Sequence, residues 1–530
     1  MSETQPLFRQ SNTWLHTWSG IVVGWLLYLI FFTGSLSFFR EEINTWAQPE
    51  LNQITQAETA AGWQNALQFL SDTAPASPQW AINLPSERQP AIELQWFDEG
   101  EEVNRRGGHR ALLDPATGET IVTRETRIGD FLYRMHFDLY GMPRELARWL
   151  VGIATMAMFI GLITGIIIHK KIFKDFFLFR PHKGQRSWMD IHIVSSVLAL
   201  PFHLMITFSG LLLLLYLLMP WGIQTAYNGD MRAYFEASGG RGGGSVSVTM
   251  PLPDDLTSHT SLISQTKTLM HMAETSWSRG VDSLQIVDPQ GSPSIRLRQR
   301  GANSLLNRAR SETLQFDTNT SVLTLEQGKP EVGFWRGFYN VVTALHLLRY
   351  ADALPRWLFF LGGILGTIMV ATGLLLWVEK RKQKVAKNGE WRRSFRLVQI
   401  SNVAAIAGLP LATAAAFWAN RLLPTTIAQR ELWEIRIFFI VWLGSLLYSL
   451  FRNHRQAWIE QLALMALLFL TLPIYNLWRL PGHSLLTFSF DVVLLVMGML
   501  ALITSRKLSQ RQSNVVKNVK PRSSLKRSLP

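Results

Sequence analysis

The dominant pattern along the chain is a series of long apolar stretches separated by polar segments. An α-helix needs about 20 mostly apolar residues to cross a bilayer. Eight stretches approach or exceed this length, at residues 14–39, 146–168, 188–219, 355–378, 397–419, 433–451, 457–478 and 484–504. The pattern predicts a multi-span α-helical membrane protein, and a hydrophobic content of 48% with 20 Trp in 530 residues agrees with it.

Two long polar segments interrupt the apolar series, and each has the pattern of a small α/β module. A helix-like amphipathic stretch comes first, and strand-like alternating runs and a turn follow it. These elements are predicted at 60–71, 80–84, 91–97 and 112–121 in the first segment, and at 259–277, 283–287, 294–300 and 314–323 in the second. The soluble modules therefore look duplicated.

The distribution of charge predicts the orientation. Three segments beside the spans, 169–187, 379–396 and 505–530, together hold 22 basic and 3 acidic residues, whereas 41–148 holds 9 basic and 17 acidic ones. Because basic loops stay in the cytoplasm, both termini are predicted inside and both modules outside. The net charge of +14 is thus explained by membrane anchors, and no nucleic-acid partner is expected.

These boundaries divide the chain into seven parts. They are a first span (1–40), a first module (41–145), two spans with a basic loop (146–219), a second module (220–354), a fourth span (355–385), a four-helix membrane module (386–505) and a basic tail (506–530). The sequence assigns no role to the last four helices.

Short motifs repeat between the two halves of residues 1–385. His16 lies 17 residues before Thr33 of a Thr-Gly pair, and His192 lies 17 residues before Ser209 of a Ser-Gly pair. Trp149 and Trp357 each lie 15 residues before the Thr of a further Thr-Gly pair. The spacing indicates an internal duplication of the membrane part.

Six histidines lie at or near the ends of the first four apolar stretches, and this pattern is typical of a membrane-embedded haem protein. They are His16, His136, His169, His192, His203 and His346. With no cysteine in the chain, thiolate sites and covalent haem attachment are excluded, so a haem is expected to be non-covalent and held by histidine.

A bis-histidine haem needs two imidazoles at one membrane depth, supplied by different helices. Depth predicts one haem on the cytoplasmic side, held by two of His16, His169 and His192. A second haem is predicted on the exterior side, held by two of His136, His203 and His346. The repeat favours His16 with His192 and His136 with His346. On a straight helix, His192 and His203 would share one face, so span three could also serve both levels.

Four sequence motifs resemble the PepSY-associated transmembrane family over about residues 10–385. They are Trp14–Gly20, the Thr33-Gly34 pair, Leu113–Glu119 and His169–Pro181. The nearest likeness is to the iron-regulated inner-membrane proteins that include ferric-siderophore reductases. The chain departs from the pattern in its second hairpin, Phe316–Ser321, and in its four extra C-terminal helices.

The resemblance implies a duplicated haem-binding four-helix bundle with two periplasmic PepSY-like α/β modules, about two haem b groups and ferric-siderophore reductase activity. Electrons would pass from a cytoplasmic flavin reductase or a membrane quinol to a periplasmic ferric siderophore, and Fe(II) would be released for uptake. Two alternatives stay open, a regulatory PepSY-type membrane protein without redox activity and a siderophore permease. Only the reductase should be red when purified.

Overall fold

The computed structural model describes residues 8–54, 62–104, 107–169, 180, 184–237, 245–253, 255–256, 260–301, 304–328, 332–388, 393–480, 482 and 484–518. Most of the basic loop 169–187 and the final part of the basic tail, 519–530, lie outside these residues. The chain divides into two compact units. The first comprises Met1–Arg124 and Gly129–Gly373, and the second comprises Glu125–Ile128 and Leu374–Pro530.

The described elements are mostly helical. The helices are α1 Phe8–Ser37, α2 Arg40–Trp46, α3 Gly62–Thr73, α4 Ile128–Asp138, α5 Arg144–Ile168, α6 Gln185–Leu198, α7 Leu200–Leu213, α8 Leu215–Leu218, α9 Trp221–Tyr227, α10 Met231–Ala237, α11 Leu262–Ser276, α12 Phe334–Leu347, α13 Ala353–Asn388, α14 Arg393–Ile406, α15 Gly408–Leu422, α16 Arg430–Phe451, α17 His454–Arg479 and α18 Leu485–Asn518. The strands are β1 Gln79–Asn83, β2 Ile92–Trp96, β3 His109–Leu113, β4 Ser245–Met250, β5 Val281–Val287, β6 Ser294–Gln299, β7 Thr313–Asp317 and β8 Val322–Gly328.

Seven helical segments among the described residues are long and apolar enough to cross a membrane, and α14 and α15 together form one of them. The consecutive helices α6 and α7 make an eighth if that pair is a single span. The structure is therefore that of a multi-pass membrane protein, and its apolar helices coincide with the eight stretches predicted from the sequence.

The third apolar stretch is bent rather than straight. Helices α6 and α7 meet at an angle of 70°, with Ala199 between them. Pro201 lies in the first turn of α7. Proline is tolerated in the first turn of a helix, where an N–H would have no partner in a preceding turn. It does not allow a preceding helix such as α6 to run on through it. The straight-helix alignment of His192 with His203 is therefore wrong.

The two predicted α/β modules share one antiparallel sheet. Within the described residues, its strands have the order β3-β2-β1-β5-β6-β7-β8-β4. Strands β1 and β5, which are the first strands after α3 and α11, pair along Gln79–Asn83 and Ser283–Val287. The duplicated modules thus join edge to edge, and each covers an edge strand of the other that would otherwise be exposed.

Alternation along the strands directs apolar side chains to a common core. Trp80, Ile82, Leu284 and Ile286 are fully buried at alternate positions of the two central strands. They pack in one cluster with residues of α3 and α11, including Leu70. Successive side chains of a strand point to opposite faces of the sheet. One face is therefore apolar and buried beneath the two helices, and the other face is polar.

The second unit contains a buried polar network that the sequence did not reveal. The Arg430 guanidinium donates to the Glu434 carboxylate at 2.6 Å, and both side chains are almost fully buried. Asn420 and Thr126 also donate to Glu434, at 2.7 Å each. Ionisable groups inside an apolar bundle are costly unless they are paired in this way.

We expect Glu434→Ala to destabilise the second unit strongly. The substitution leaves the buried Arg430 charge without its carboxylate, a change that typically costs about 3–5 kcal/mol. The apparent melting temperature of the detergent-purified protein should therefore fall by several degrees. Glu460→Ala is the matched control, since it breaks the exposed pair with Arg452 and should leave the melting temperature unchanged. Equal melting temperatures for both variants would show that the network is not stabilising.

Candidate functional site

Four of the six predicted histidines form two ring pairs in the first unit. His16 of α1 and His192 of α6 have ring centroids 6.3 Å apart at an interplanar angle of 75°. His136 of α4 and His346 of α12 have centroids 6.2 Å apart at 38°. These are the repeat-related pairings that the duplication favours, and the structure brings them together from positions 176 and 210 residues apart.

The two pairs lie at different levels along α1. His136 contacts the carbonyl of Ile30, which is 14 residues after His16 and so about 21 Å further along the helix. His136 and His346 also line a cavity shared with strand residues Asp282 and Arg298. We call His136 and His346 the proximal pair, because of this shared cavity with the sheet, and His16 and His192 the distal pair.

The helices that carry the proximal pair are not among the apolar spans. Helices α4 and α12 are short and precede α5 and α13, as the sequence position of their histidines indicated. Burial is the main cause that lowers the pKa of both His136 and His346. The neutral imidazole is also the form that binds a metal ion.

Each of the four histidines has its Nδ1 engaged. The Nδ1 atoms of His16, His192 and His136 contact the carbonyl oxygens of Gly161, Met369 and Ile30 at 2.9, 2.9 and 2.8 Å, respectively. A carbonyl oxygen only accepts, so Nδ1 carries the proton in these three rings. Their Nε2 atoms hold the lone pair that a metal ion needs.

The fourth ring, His346, also has its proton on Nδ1, but its acceptor is a hydroxyl oxygen. His346 Nδ1 lies 2.9 Å from the Ser209 oxygen, and the Ser209 hydroxyl donates to the carbonyl of Met205 at 2.7 Å. Because its proton is used in that bond, Ser209 accepts from His346 Nδ1–H. The repeated Ser/Thr-Gly motif thus supplies a hydrogen-bond acceptor here, and Thr164 and Thr372 lie 3.3 Å from the Nδ1 atoms of the distal pair.

The glycines of the four repeated motifs pack directly against the four histidine rings. A Cβ added at each glycine would lie 2.6 Å from His136, 3.3 Å from His346 and 3.4 Å from both His16 and His192. The glycines, in the same order, are Gly34, Gly210, Gly165 and Gly373. The motif that marked the duplication in the sequence therefore makes room for the imidazoles.

The remaining two predicted ligands lie outside both pairs. His169 is the C-terminal cap residue of α5. His203 is buried on α7, and its ring is perpendicular to that of Phe31 at a centroid distance of 6.1 Å. Phe31 follows the residue that His136 contacts, so His203 adjoins the proximal level without entering its ring pair.

The geometry of both pairs fits an iron ion held between two imidazoles. With metal–nitrogen bonds of about 2 Å and about 1.1 Å from nitrogen to ring centre, two imidazoles that shared one metal ion would have ring centres at most about 6 Å apart. The observed 6.2 and 6.3 Å agree with this value. Among the described residues, no cluster of three or more His, Cys, Asp or Glu side chains forms a metal site.

The cavity beside the proximal pair has a volume of about 1470 Å³. Its membrane end is lined by apolar side chains of the spans, such as Leu27, Met158 and Ile206, and its opposite end is rich in arginine. An apolar macrocycle with anionic propionates would match this division. Sequence reasoning missed these arginines, although Arg296, Arg298 and Arg300 alternate with buried residues along and just after β6, which would have predicted one basic face.

The chain was compared with curated proteins and with models of protein families. No curated protein matches the chain. The family model described as the PepSY-associated TM region matches residues 13–380, which is more than half of the chain. That region includes all six candidate histidines and ends before the four additional spans, which are formed by α14 to α18. The chain therefore belongs to the PepSY-associated transmembrane family.

Proposed function

We propose that this protein is a bacterial inner-membrane di-haem b oxidoreductase that reduces ferric siderophores on the periplasmic side. The distal pair, His16 and His192, and the proximal pair, His136 and His346, would each hold one haem. The observation that carries the proposal is the presence of two half-buried imidazole pairs with ring separations of 6.2 and 6.3 Å. Anchoring or regulation alone would not need such a repeated arrangement.

A bound haem would supply a one-electron carrier at each level. The chain's own residues would set its ligation: the carbonyls of Gly161, Met369 and Ile30 hold Nδ1–H, orient the rings and leave Nε2 unprotonated. Such partners also raise the basicity of the ligand nitrogen. Two levels about 21 Å apart along one helix would allow electrons to cross most of the roughly 30 Å apolar core of a bilayer.

The overall reaction balances with a two-electron donor. One quinol, or one reduced flavin of a cytoplasmic reductase, loses two electrons and two protons, and two ferric chelates each gain one electron. Siderophores bind Fe(III) through hard oxygen donors, and Fe(II) is softer and more labile. Reduction therefore weakens the grip of the chelator without breaking any of its covalent bonds, and it releases iron for uptake.

The orientation completes the proposal. Basic segments beside the spans favour cytoplasmic termini, and the sheet and the proximal pair would then lie outside. The donor would then act on the distal side, and the ferric chelate would approach from the side of the sheet. The cavity that adjoins His136 and His346 supports this direction, because it connects the proximal level with residues of the sheet.

Spectroscopy of the purified protein is the decisive test. We expect the full-length chain, expressed with ample haem and purified in detergent, to show a Soret band and about two non-covalent b haems per chain. Dithionite-reduced protein should be reoxidised on mixing with a ferric siderophore, and Fe(II) should appear in equal amount. A colourless protein, or a reduced protein that no ferric chelate reoxidises, would contradict the proposal.

A further inference from the structure

The cavity beside the proximal pair has a strongly basic wall. Eight arginines line the whole cavity against four acidic residues, Glu41, Glu87, Asp282 and Asp352. The arginines at or near the end of the cavity that the sheet lines include Arg88, Arg279, Arg298, Arg300 and Arg349. Arginine binds carboxylates in preference to neutral ligands because its planar fork donates two parallel hydrogen bonds.

Most of these guanidinium groups already have a carboxylate partner. Arg298 pairs with Asp282, Arg279 pairs with Asp352, and Arg88 pairs with glutamates of α2. These ion pairs hold the arginines in place but leave little net charge for a ligand. The attraction for an anion must therefore come from arginines whose charge is not compensated.

Two cavity arginines meet only neutral acceptors among the described residues. The Arg300 guanidinium donates to the carbonyls of Pro85 and Val281 at 2.7 and 3.0 Å, and its Nε is buried without a hydrogen-bond partner. Arg349 reaches only the hydroxyl of Tyr133, at 3.4 Å. Neutral acceptors do not compensate the charge of a guanidinium group, and an anion bound in the cavity would do so.

The size of the cavity leaves space for more than one ligand. Sites for one small molecule usually have about 300–1,000 Å³, and this cavity has about 1470 Å³. Arg349 follows His346 by three residues, so it is suited to a propionate of a haem held by that histidine. Arg300 follows β6 and belongs to the sheet, so it is suited to a second, separate anion.

We propose that Arg300, on the basic wall of the cavity, binds the carboxylates of an anionic ferric chelate of the hydroxycarboxylate type. The same positive charge would weaken the binding of cationic chelates. The inference deepens the proposed function, because it names the chemical class of the iron complex at the same site. Binding itself needs no electron transfer, so it is testable separately from reduction.

The test measures binding of gallium(III) citrate, a redox-inert analogue of ferric citrate, to the full-length detergent-purified protein by calorimetry. We expect Arg300→Gln to weaken binding about tenfold or more, since charged hydrogen bonds are lost. Arg296→Gln is the matched control: Arg296 is on β6, bonds Gln315 and is not among the residues that line the cavity. The control should bind gallium citrate as the wild type does.

Two further measurements separate the outcomes. A cationic gallium trihydroxamate should bind weakly, and equally to wild type and Arg300→Gln; tighter binding of it than of citrate to the wild type would overturn the proposal. Haem content should be the same in all variants. If Arg300→Gln lowers haem content and leaves citrate affinity unchanged, Arg300 serves a haem propionate and the proposal is wrong. A haem-free wild type with Arg300-dependent citrate binding would refute the electron-transfer function but support this site.

Discussion

His192→Ala and His346→Ala should each remove one haem from the purified protein, or convert it to a high-spin form, and each should abolish reduction of an external ferric chelate. The two histidines belong to different ring pairs. An electron that crosses two sites in series needs both of them. Each variant should therefore fall from about two haems to about one and lose chelate reduction completely, while the chain stays in the membrane.

A matched control separates ligation from packing. His109→Ala removes an exposed histidine of β3 that bonds Asp98, so haem content and reduction should be unchanged. A histidine that only packs in the bundle would give a partial loss that follows protein stability. If His192→Ala retains both haems and full reduction, the distal assignment is wrong, and His16 with His169 becomes the pair to test.

Gly34→Ala should eliminate the proximal haem and leave the distal one. A Cβ at Gly34 would lie 2.6 Å from His136 Nδ1 and 2.7 Å from its Cε1, closer than packed atoms approach, so the imidazole must move from its place. The contact with the Ile30 carbonyl would then be lost. Haem content should fall to about one per chain, and chelate reduction should stop, because ligation is sensitive to shifts of this size.

The other Thr-Gly motif of the first half, Thr164-Gly165, provides the control for this prediction. Gly165→Ala makes the same chemical change in that motif, on α5, but its Cβ would lie 3.4 Å from His16, an ordinary contact distance. Both substitutions replace glycine by a better helix former, so helix propensity should not account for a difference between them. Two intact haems in Gly34→Ala would refute the proposed role of the motif glycine, as would equal haem loss in both variants.

The repeat also gives the ring pairs a common design. The distal rings contact a carbonyl of α5 or α13 at the same distance, 2.9 Å, with a threonine hydroxyl at 3.3 Å in both cases. In the proximal pair, His136 contacts α1 near Thr33-Gly34, and His346 contacts α7 at Ser209 of the Ser-Gly motif. Duplication thus reproduced not only the histidines but also the acceptors that fix their tautomers.

The sequence by itself determined the segments and the internal repeat. Runs of about 20 apolar residues identified the spans, and alternation at Trp80–Ile82 or Leu284–Ile286 identified the strands, because burial of one face leaves a local periodic trace. The equal spacing of His16 to Thr33 and His192 to Ser209 revealed the duplication, and the absence of cysteine excluded thiolate ligands. The apolar runs, the alternation and the motif spacing can each be read from a short stretch of sequence.

The tertiary structure decided how those segments combine. The pairing of His136 with His346, the edge pairing of β1 with β5 and the uncompensated Arg300 all depend on residues roughly 200 apart in the chain. The bend at Ala199 moved His203 away from the face that a straight helix would have given it. Periodicity fixes which face of an element is buried, but packing between distant elements decides which partner that face meets.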